Sequence, residues 1–281
     1  MKSKFVELDG VRFNYGEGRP NGRRLVFLPG FPRYWSEYRP LLDKLEPHYH
    51  LFALSMRGQG LSQRSPPYTI ASYITDTIAF LRDVIGGGAL GIGHSAGAWF
   101  GLAAANDFPD LFSAFVSIDQ PLNPEDHVIA HGTDTSAVGQ MLAALRAARD
   151  VDELKKRLSC LLTSNGRSWA EEMDDREILE RAHQLSKIDP ETFAPWANGL
   201  ENWIMVAELQ RWPGQYRAPL LFLDGDPDAG SMLTAAAVHY NLSRYPWAQR
   251  VELKGHDHIM GLRSDPERSV AEIRSFFGSL V

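Results

Sequence analysis

The sequence is poor in cysteine and contains no long apolar run. Its single cysteine, Cys160, has no partner within the chain, so an internal disulfide is excluded and a metal site would gain at most one ligand from it. No apolar segment reaches the ~18 residues that a membrane span needs, and no apolar stretch follows the first lysines as in a signal peptide. These absences predict a reducing, cytoplasmic location and no membrane association.

The chain also lacks an excess of positive charge. It has 29 lysines and arginines against 35 aspartates and glutamates, which gives a formal net charge of −6. Without an overall basic field, we expect no binding to nucleic acid or to anionic lipid. The patterns C-x-x-C, H-E-x-x-H and G-x-x-x-x-G-K-[ST] are absent too, so the sequence predicts neither a metal nor an organic cofactor.

The sequence does contain the material for a sizeable core. Hydrophobic residues make up 44% of the 281 residues and aromatic residues 11%, which is typical of a globular protein. This length favours one large domain, or a domain with an insertion, over several small modules. Disorder and fibrous structure are excluded by the composition, and no internal repeat is present.

Short apolar runs alternate with helical patterns along most of the chain. A hairpin with its turn at 9–10 is followed by runs at 25–30, 50–55, 89–95, 114–119 and 220–226, and a last strand is predicted at 250–255. Helical patterns occupy 35–45, 69–85, 96–106, 233–245 and 266–280. Because strand alternates with helix, we predict an α/β fold with a mostly parallel sheet and helices on both faces.

The stretch 121–216 breaks the alternation, since it contains helical patterns only. These patterns predict helices at 137–149, 151–162, 170–186 and 196–209. Ligands of open parallel sheets bind outside the carboxyl ends of the strands, where an insertion between two strands would form a roof. We therefore predict a core made of 1–120 and 217–281 and a helical cap made of 121–216.

The sequence GHSAG, at 93–97, lies between an apolar strand and an apolar helix. Side chains at Gly93 and Gly97 would collide with neighbouring elements in so tight a turn, and the turn exposes Ser95 in a strained conformation. The amide of Ala96 then lies at a helix N-terminus, where it can stabilise a developing negative charge. Serine is also a common N-cap, but the glycines and the preceding strand favour a nucleophile.

With this motif, the chain resembles the α/β-hydrolase family over about residues 5–277. The stretch LPGFPRYW, at 28–35, is similar to the family's HGxP-type loop, with Pro29 where histidine is more common. The resemblance implies that the amides of Phe31 and Ala96 form an oxyanion hole. A cis bond is predicted before Pro32.

A third stretch, SMRGQGLS at 55–62, is similar to the family's D-x-R-G-x-G-x-S turn. Ser55 occupies the position of the aspartate. We expect this turn to be structural.

A serine nucleophile needs a general base, and imidazole suits this task because its pKa lies near neutral pH. The resemblance places the base on the loop after the last strand, where the sequence reads VELKGHDHIMG. The family's Gly-x-x-His spacing from Gly255 selects His258, and His256 is the alternative. His94, beside the nucleophile, is expected to pack below the site.

The acid that orients the base has three candidates. The resemblance implies a Gly-x-x-Asp spacing after the penultimate strand, which selects Asp228 in LFLDGDPDAG. Asp226 lies two residues nearer the strand, and Asp119 ends the strand that follows the nucleophile helix, a position that some relatives use. Each of these carboxylates also suits an ordinary turn, so the choice stays open.

These assignments predict a carboxylesterase-like serine hydrolase with Ser95, Asp228 and His258 as a catalytic triad. Epoxide hydrolases and haloalkane dehalogenases resemble the chain in GFPRYW, but they use an aspartate nucleophile, and Ser95 argues against both. The apolar side chains of the predicted cap favour a small to medium, largely apolar ester. They are Trp169, Phe193, Trp196, Trp203, Ile204, Met205 and Trp212.

Other reactions and functions remain as alternatives. Hydrolysis of a thioester, a lactone or a C–C bond would use the same groups. A cofactor-independent lyase, in which Ser95 and His258 move protons, is a second class, and a non-catalytic ligand receptor is a third. The predicted partner is a small-molecule substrate, and the predicted state is a monomer or a homodimer.

Overall fold

The structure is a computed structural model that describes residues 1–120, 122, 137–163, 166–194 and 215–280. Its eight strands form one sheet in the order β1-β2-β4-β3-β5-β6-β7-β8. β1 pairs antiparallel with β2, and β2 with β4, while all other neighbours are parallel. The predicted α/β fold with a mostly parallel sheet is confirmed. The strands are β1 Lys2–Leu8, β2 Val11–Glu17, β3 Arg24–Leu28, β4 His50–Leu54, β5 Ala89–His94, β6 Phe112–Ile118, β7 Leu220–Asp224 and β8 Gln249–Glu252.

The helices lie between and after these strands. None of those in the described part of the chain is long and apolar enough to cross a bilayer. The α-helices are α1 Arg39–Leu45, α2 Ile70–Ala79, α3 Ala96–Asp107, α4 Ala137–Ala147, α5 Val151–Ser159, α6 Trp169–Glu172, α7 Asp175–Leu185, α8 Ala235–Arg244 and α9 Glu267–Gly278.

Three predicted helices are divided in the structure. The segment 69–85 is α2 followed by a π-helix at Phe80–Ile85. The other two are divided for a local reason. The segment 35–45 begins as a 3-10 turn, and α1 starts at Arg39 with Pro40 in its first turn, where the missing N–H of proline costs no helical bond. The segment 170–186 is divided before α7 because Asp174 acts as an N-cap. Its carboxylate accepts from the amide of Glu177 at 2.8 Å, and the Glu177 carboxylate accepts from the amide of Asp174.

The central strands of the sheet, β3 to β7, are buried on both faces. Alternate residues of β3 point to opposite sides, so Val26 and Leu28 join one apolar cluster with α2 and α3 while Leu25 and Phe27 join another with α1 and α9. The helix after the GHSAG motif, α3, is buried from Ala96 through Asn106. A helix that is apolar on all sides must be covered by other elements, as α3 is by the sheet and α2.

The helices α4 to α7 form a third apolar cluster between β6 and β7. Leu142, Leu158 and Ile178 are buried there, and Phe31 from the loop after β3 packs against them. Three of the predicted cap helices therefore exist, while the extent of the cap, 121–216, stays a prediction. The predicted helix 196–209 lies outside the described residues. So do the predicted substrate-facing residues Trp196, Trp203, Ile204, Met205 and Trp212.

The turn at 55–62 supports the loop that follows β3. Arg57 donates to both carboxylate oxygens of buried Asp76, at 2.6 and 2.5 Å. Ser55 accepts from the amide of Trp35 at 3.3 Å, and Gly60 has a φ of +64° and lies against Tyr34. These contacts are those of a structural turn, which is the role predicted for it.

We expect Asp76→Ala to lower the free energy of unfolding by about 3 kcal/mol, because it leaves the guanidinium of Arg57 without its carboxylate in a largely buried place. Urea unfolding followed by circular dichroism measures the change. Asp83→Ala, at an exposed position just beyond α2, is the matched control and should stay within about 0.5 kcal/mol. A loss for Asp76→Ala no larger than that of the control would contradict a structural role for the pair.

Candidate active site

Ser95 is the single residue that connects the end of β5 to the start of α3. Its φ of 51° and ψ of −129° are rare for a residue with a side chain, and such a conformation costs about 1–3 kcal/mol. Three backbone hydrogen bonds hold it. The Ser95 amide donates to the Ile118 carbonyl at 3.0 Å, and the Ser95 carbonyl accepts from the amides of Ala98 at 2.8 Å and Trp99 at 3.3 Å. The turn therefore has the strained geometry predicted for a nucleophile, and the side chain is only half-buried.

Glycines allow the elements around Ser95 to approach closely. A Cβ at Gly93 would overlap the backbone of α3, and a Cβ at Gly97 would overlap the carbonyl of Leu28. A Cβ at Gly30 would lie 3.0 Å from the Cβ of Ser95. The loop after β3 is thus packed directly on the serine, as the steric interpretation of GHSAG requires.

A hydrogen bond of 2.7 Å joins Nδ1 of His258 to Oδ2 of Asp119. Asp119 directly follows β6 and is fully buried. Its Oδ1 also accepts from the amide of Gly225 at 2.8 Å and from the hydroxyl of Ser231 at 2.6 Å, and its Oδ2 accepts from the amide of Met232 at 3.0 Å. Four donors from three segments of the chain therefore converge on one carboxylate.

The charge of Asp119 follows from these contacts. Burial alone would raise its pKa, but the hydrogen bonds from His258, Ser231 and Gly225 outweigh burial and hold the pKa below its usual value. An ionised carboxylate only accepts, so Nδ1 of His258 carries the proton. In the neutral ring, Nε2 is then the nitrogen with a free lone pair.

The structure corrects the expectation that Asp228 accepts the bond from His258. Asp228 is exposed on the short 3-10 helix Pro227–Ala229. Its amide donates to the Asp226 carboxylate at 3.1 Å, so Asp226 caps this turn and Asp228 lies on its outer side. Asp226 also accepts from the amide of Gly255 at 2.9 Å, which ties together the loops after β7 and β8. Of the three predicted acids, Asp119 is the one bonded to the His258 ring.

His94 is buried beneath the turn, as predicted. Its Nε2 lies 2.9 Å from the His258 carbonyl, and its Nδ1 lies 2.8 Å from the Tyr38 hydroxyl. Because a carbonyl can only accept, Nε2 carries the proton and Nδ1 accepts from Tyr38, whose oxygen in turn accepts from the Gly30 amide at 3.2 Å. Sequence reasoning missed that His94 joins the backbone at His258 to the loop after β3.

The predicted oxyanion donors belong to two segments that meet at Ser95, the loop after β3 and the start of α3. Ala96 is the first residue of α3, and the first amides of a helix have no acceptor within it. Phe31 follows Gly30 in the loop packed on the serine, its ring lies 4.9 Å from that of Phe193, and the bond before Pro32 is cis as predicted.

The alternative base, His256, lies in the turn between β8 and His258. Its carbonyl accepts from the amide of Asp226 at 2.7 Å, so its backbone belongs to the junction of two loops. In the described ranges, no three His, Cys, Asp or Glu side chains are grouped to hold a metal ion. Cys160 is exposed at the end of α5.

Comparison with known proteins places this geometry in a family. The model of the alpha/beta hydrolase family matches residues 25–273. A 2-(acetamidomethylene)succinate hydrolase from Mesorhizobium japonicum is 30% identical over 118 residues, which cover 42% of this chain and 42% of that enzyme. The chain therefore matches less than half the length of this relative.

Two further proteins match over more of their length. A pimeloyl-[acyl-carrier protein] methyl ester esterase from Xanthomonas axonopodis pv. citri is 24% identical over 242 residues, 85% of this chain and 88% of the esterase. The crystal structure of an epoxide hydrolase from Vigna radiata superposes with a TM-score of 0.75 at 20% identity and covers 99% of this chain and 98% of that one. At such identity the superposition shows the fold alone.

His94 should make the folded protein sensitive to acid. Burial lowers the pKa of His94 to about 3, from an ordinary value of 6.5. Between these values the unfolded chain binds more protons than the folded one, so stability is full above pH 6.5 and is lost as the pH falls. The ring should contribute a slope of about 1.4 kcal/mol per pH unit. Urea unfolding between pH 7 and 4 should show a shallower slope for His94→Gln.

The matched control is His183→Gln, which changes an exposed histidine of α7. Its unfolding free energy should follow the same pH dependence as that of the unmodified protein. If His94→Gln also kept the full slope, the acid sensitivity would have to arise elsewhere.

Proposed function

Because the chain belongs to the alpha/beta hydrolase family, we propose that it is a serine hydrolase that cleaves a carboxylic ester through an acyl-enzyme on Ser95. The pairing of His258 with the buried, ionised Asp119 supports this proposal most, since it leaves Nε2 of the imidazole free to accept a proton. The strained, glycine-flanked backbone of Ser95 is the second support. The acid of the proposed triad is Asp119.

The proposed reaction has two halves. In the first, His258 takes the proton of Ser95, and Oγ attacks the ester carbonyl to form a tetrahedral adduct. The C–O bond then breaks, and His258 gives its proton to the departing alkoxide, so that alcohol leaves and an acyl-enzyme remains. In the second half, His258 deprotonates water, which attacks the acyl carbon, and return of the proton to Ser95 releases the acid. Asp119 stabilises the imidazolium in both halves.

The negative charge of the adduct needs donors that are already in place. The amide of Ala96 lies in the first turn of α3, where the helix dipole also favours an anion. The amide of Phe31 is the proposed second donor, supported by the close packing of Gly30 on Ser95. Removal of one such donor typically lowers kcat by ~10² to 10³.

The proposed substrate is a small to medium molecule with an apolar part. Phe31 packs against Phe193, and both belong to the apolar cluster formed with α4 to α7. The proposed cap of residues 121–216 would thus place apolar side chains near the reacting groups. A cytoplasmic location and a monomeric or dimeric state complete the proposal.

The names of two relatives support an ester as the substrate and one alternative reaction. The methyl ester esterase from Xanthomonas aligns over most of both chains, which favours an ester. The 2-(acetamidomethylene)succinate hydrolase aligns over a shorter stretch and favours, as a second candidate, hydrolysis of a bond other than an ester by the same groups. A serine at the turn after β5 supports either reaction.

Ser95→Ala should abolish ester hydrolysis. We expect kcat for p-nitrophenyl butyrate to fall by ~10³ to 10⁶, because the substitution removes the attacking oxygen of the proposed triad. A fluorophosphonate should add one phosphonyl group to the unmodified protein, seen by mass spectrometry, and none to the variant. Ser243→Ala, at an exposed serine of α8, should behave as the unmodified protein. Unchanged turnover in Ser95→Ala would refute the proposal.

The identity of the acid has a separate test. Asp119→Asn should lower kcat by about 10⁴, because an amide favours the wrong tautomer of His258. Asp228→Asn should leave kcat within about threefold, since its carboxylate lies on the surface. The reverse order of the two effects would restore Asp228 as the acid.

A further inference from the structure

Three arginines surround one buried carboxylate in the 3-10 turn Trp35–Tyr38, just before α1. The carboxylate of Glu37 lies 3.1 Å from Arg33, 3.5 Å from Arg181 and 3.3 Å from Arg263. The side chain of Glu37 is 2% exposed, and those of the arginines are 14, 15 and 21% exposed. We call Arg33, Arg181 and Arg263 the arginine cluster. Three positive charges thus face a single negative charge in a poorly solvated place.

The other groups around the cluster do not balance it. Glu180 also acts on Arg263, but it is exposed and already accepts from Gln184 at 2.9 Å. Burial raises the pKa of Tyr38 to about 12, so its hydroxyl is uncharged at neutral pH. Tyr34, the other phenol near the cluster, is likewise neutral because burial raises its pKa to about 12. With Glu180 counted in full, the described groups still leave an excess of positive charge.

This excess is costly for the protein unless an anion joins it. Burial and the neighbouring charge of Arg33 lower the pKa of Arg181 to about 9, which shows how unfavourable its surroundings are for a cation. The Nε of Arg263 is buried and has no hydrogen-bond partner among the described residues. A guanidinium offers five N–H donors in a fork that fits a carboxylate. An added carboxylate that contacts the partly exposed guanidinium groups would supply the missing negative charge.

The cluster is built from the same segments as the proposed site. Arg33 lies two residues after Phe31, and its charge contributes to the low pKa of His94 beside Ser95. Arg263 lies five residues after His258, on the same loop. Arg181 comes from α7, in the predicted cap. A group bound by all three arginines would therefore connect the loops that hold the reacting side chains with the helices above them.

We propose that the arginine cluster is a subsite for a carboxylate carried by the substrate, so that the preferred ester is the half-ester of a dicarboxylic acid. The preference among esters rests on the proposed function, whereas the binding of a carboxylate does not. The competing interpretation is that Arg181 and Glu37 only fasten α7 to the core.

The kinetic test compares esters that differ in charge at one end. Monomethyl succinate, glutarate and adipate are each paired with a neutral methyl ester in which an isopropyl group replaces the carboxylate. We expect the best half-ester to have a kcat/KM ~10- to 100-fold above that of its neutral counterpart. A ratio of this size corresponds to the strength of an ordinary hydrogen bond to a charged group. Arg181→Gln should remove this preference by raising KM for the half-ester, and should change the neutral ester less than about threefold.

Two further variants keep the test decisive. Arg146→Gln alters an exposed arginine of α4 that pairs with Glu191, and it should leave the preference unchanged. Arg263→Gln serves if Arg181→Gln fails to fold, and it should remove the preference in the same way. The subsite would be overturned if the cluster variants lost kcat/KM equally for charged and neutral esters. It would also be overturned if the unmodified protein did not prefer the half-esters.

A binding experiment separates the subsite from the reaction. Ser95→Ala should bind glutarate in isothermal titration, more weakly at high salt, and the double variant with Arg181→Gln should not bind it. If glutarate binds but the unmodified protein hydrolyses no ester, the subsite is supported and the proposed function is overturned. Turnover of neutral esters without glutarate binding would overturn the subsite alone.

Discussion

The close approach of β3, β5 and α3 is the constraint on which the rest of the site depends. Ser95 keeps a φ of 51° because its amide and carbonyl are bonded on both sides and because Gly93 and Gly97 admit the neighbouring backbone. The contact of Gly30 with Ser95 brings the loop after β3 to the same point. A strained residue persists only where its surroundings overdetermine it. The apolar layers on both faces of the sheet supply that rigidity.

A second constraint is that polar groups buried in the protein need hydrogen-bond partners. Asp119 is buried yet ionised because four donors reach it, among them His258 and Ser231. His94 is buried and neutral, and its two ring nitrogens are used by Tyr38 and by the carbonyl of His258. These bonds set the tautomer of both histidines. The arginine cluster is the contrasting case, since its charges exceed those of its described partners and an added anion would complete it.

The carboxylate bonded to His258 shows where local patterns lose their predictive value. A Gly-x-x-Asp spacing selected Asp228, but Asp226 caps the following turn and leaves Asp228 on the surface. The bond between His258 and Asp119 joins residues 139 positions apart, and it forms because the loop after β8 reaches past β7 to the end of β6. The same limit applies to the arginine cluster. Arg33 and Glu37 are close in sequence, whereas Arg181 and Arg263 reach them only through packing of α7 and the last loop.

The sequence by itself determined the alternation of strand and helix, the tight turn at Ser95 and the structural turn at 55–62. Each of these depends on periodicity or on steric demands within a few residues, as at Gly93 and Gly97. Only the tertiary structure decided which carboxylate meets His258 and which charges gather around Glu37. Such pairs form between distant segments, and a buried charge selects its partner by geometry and solvation, which no short pattern encodes.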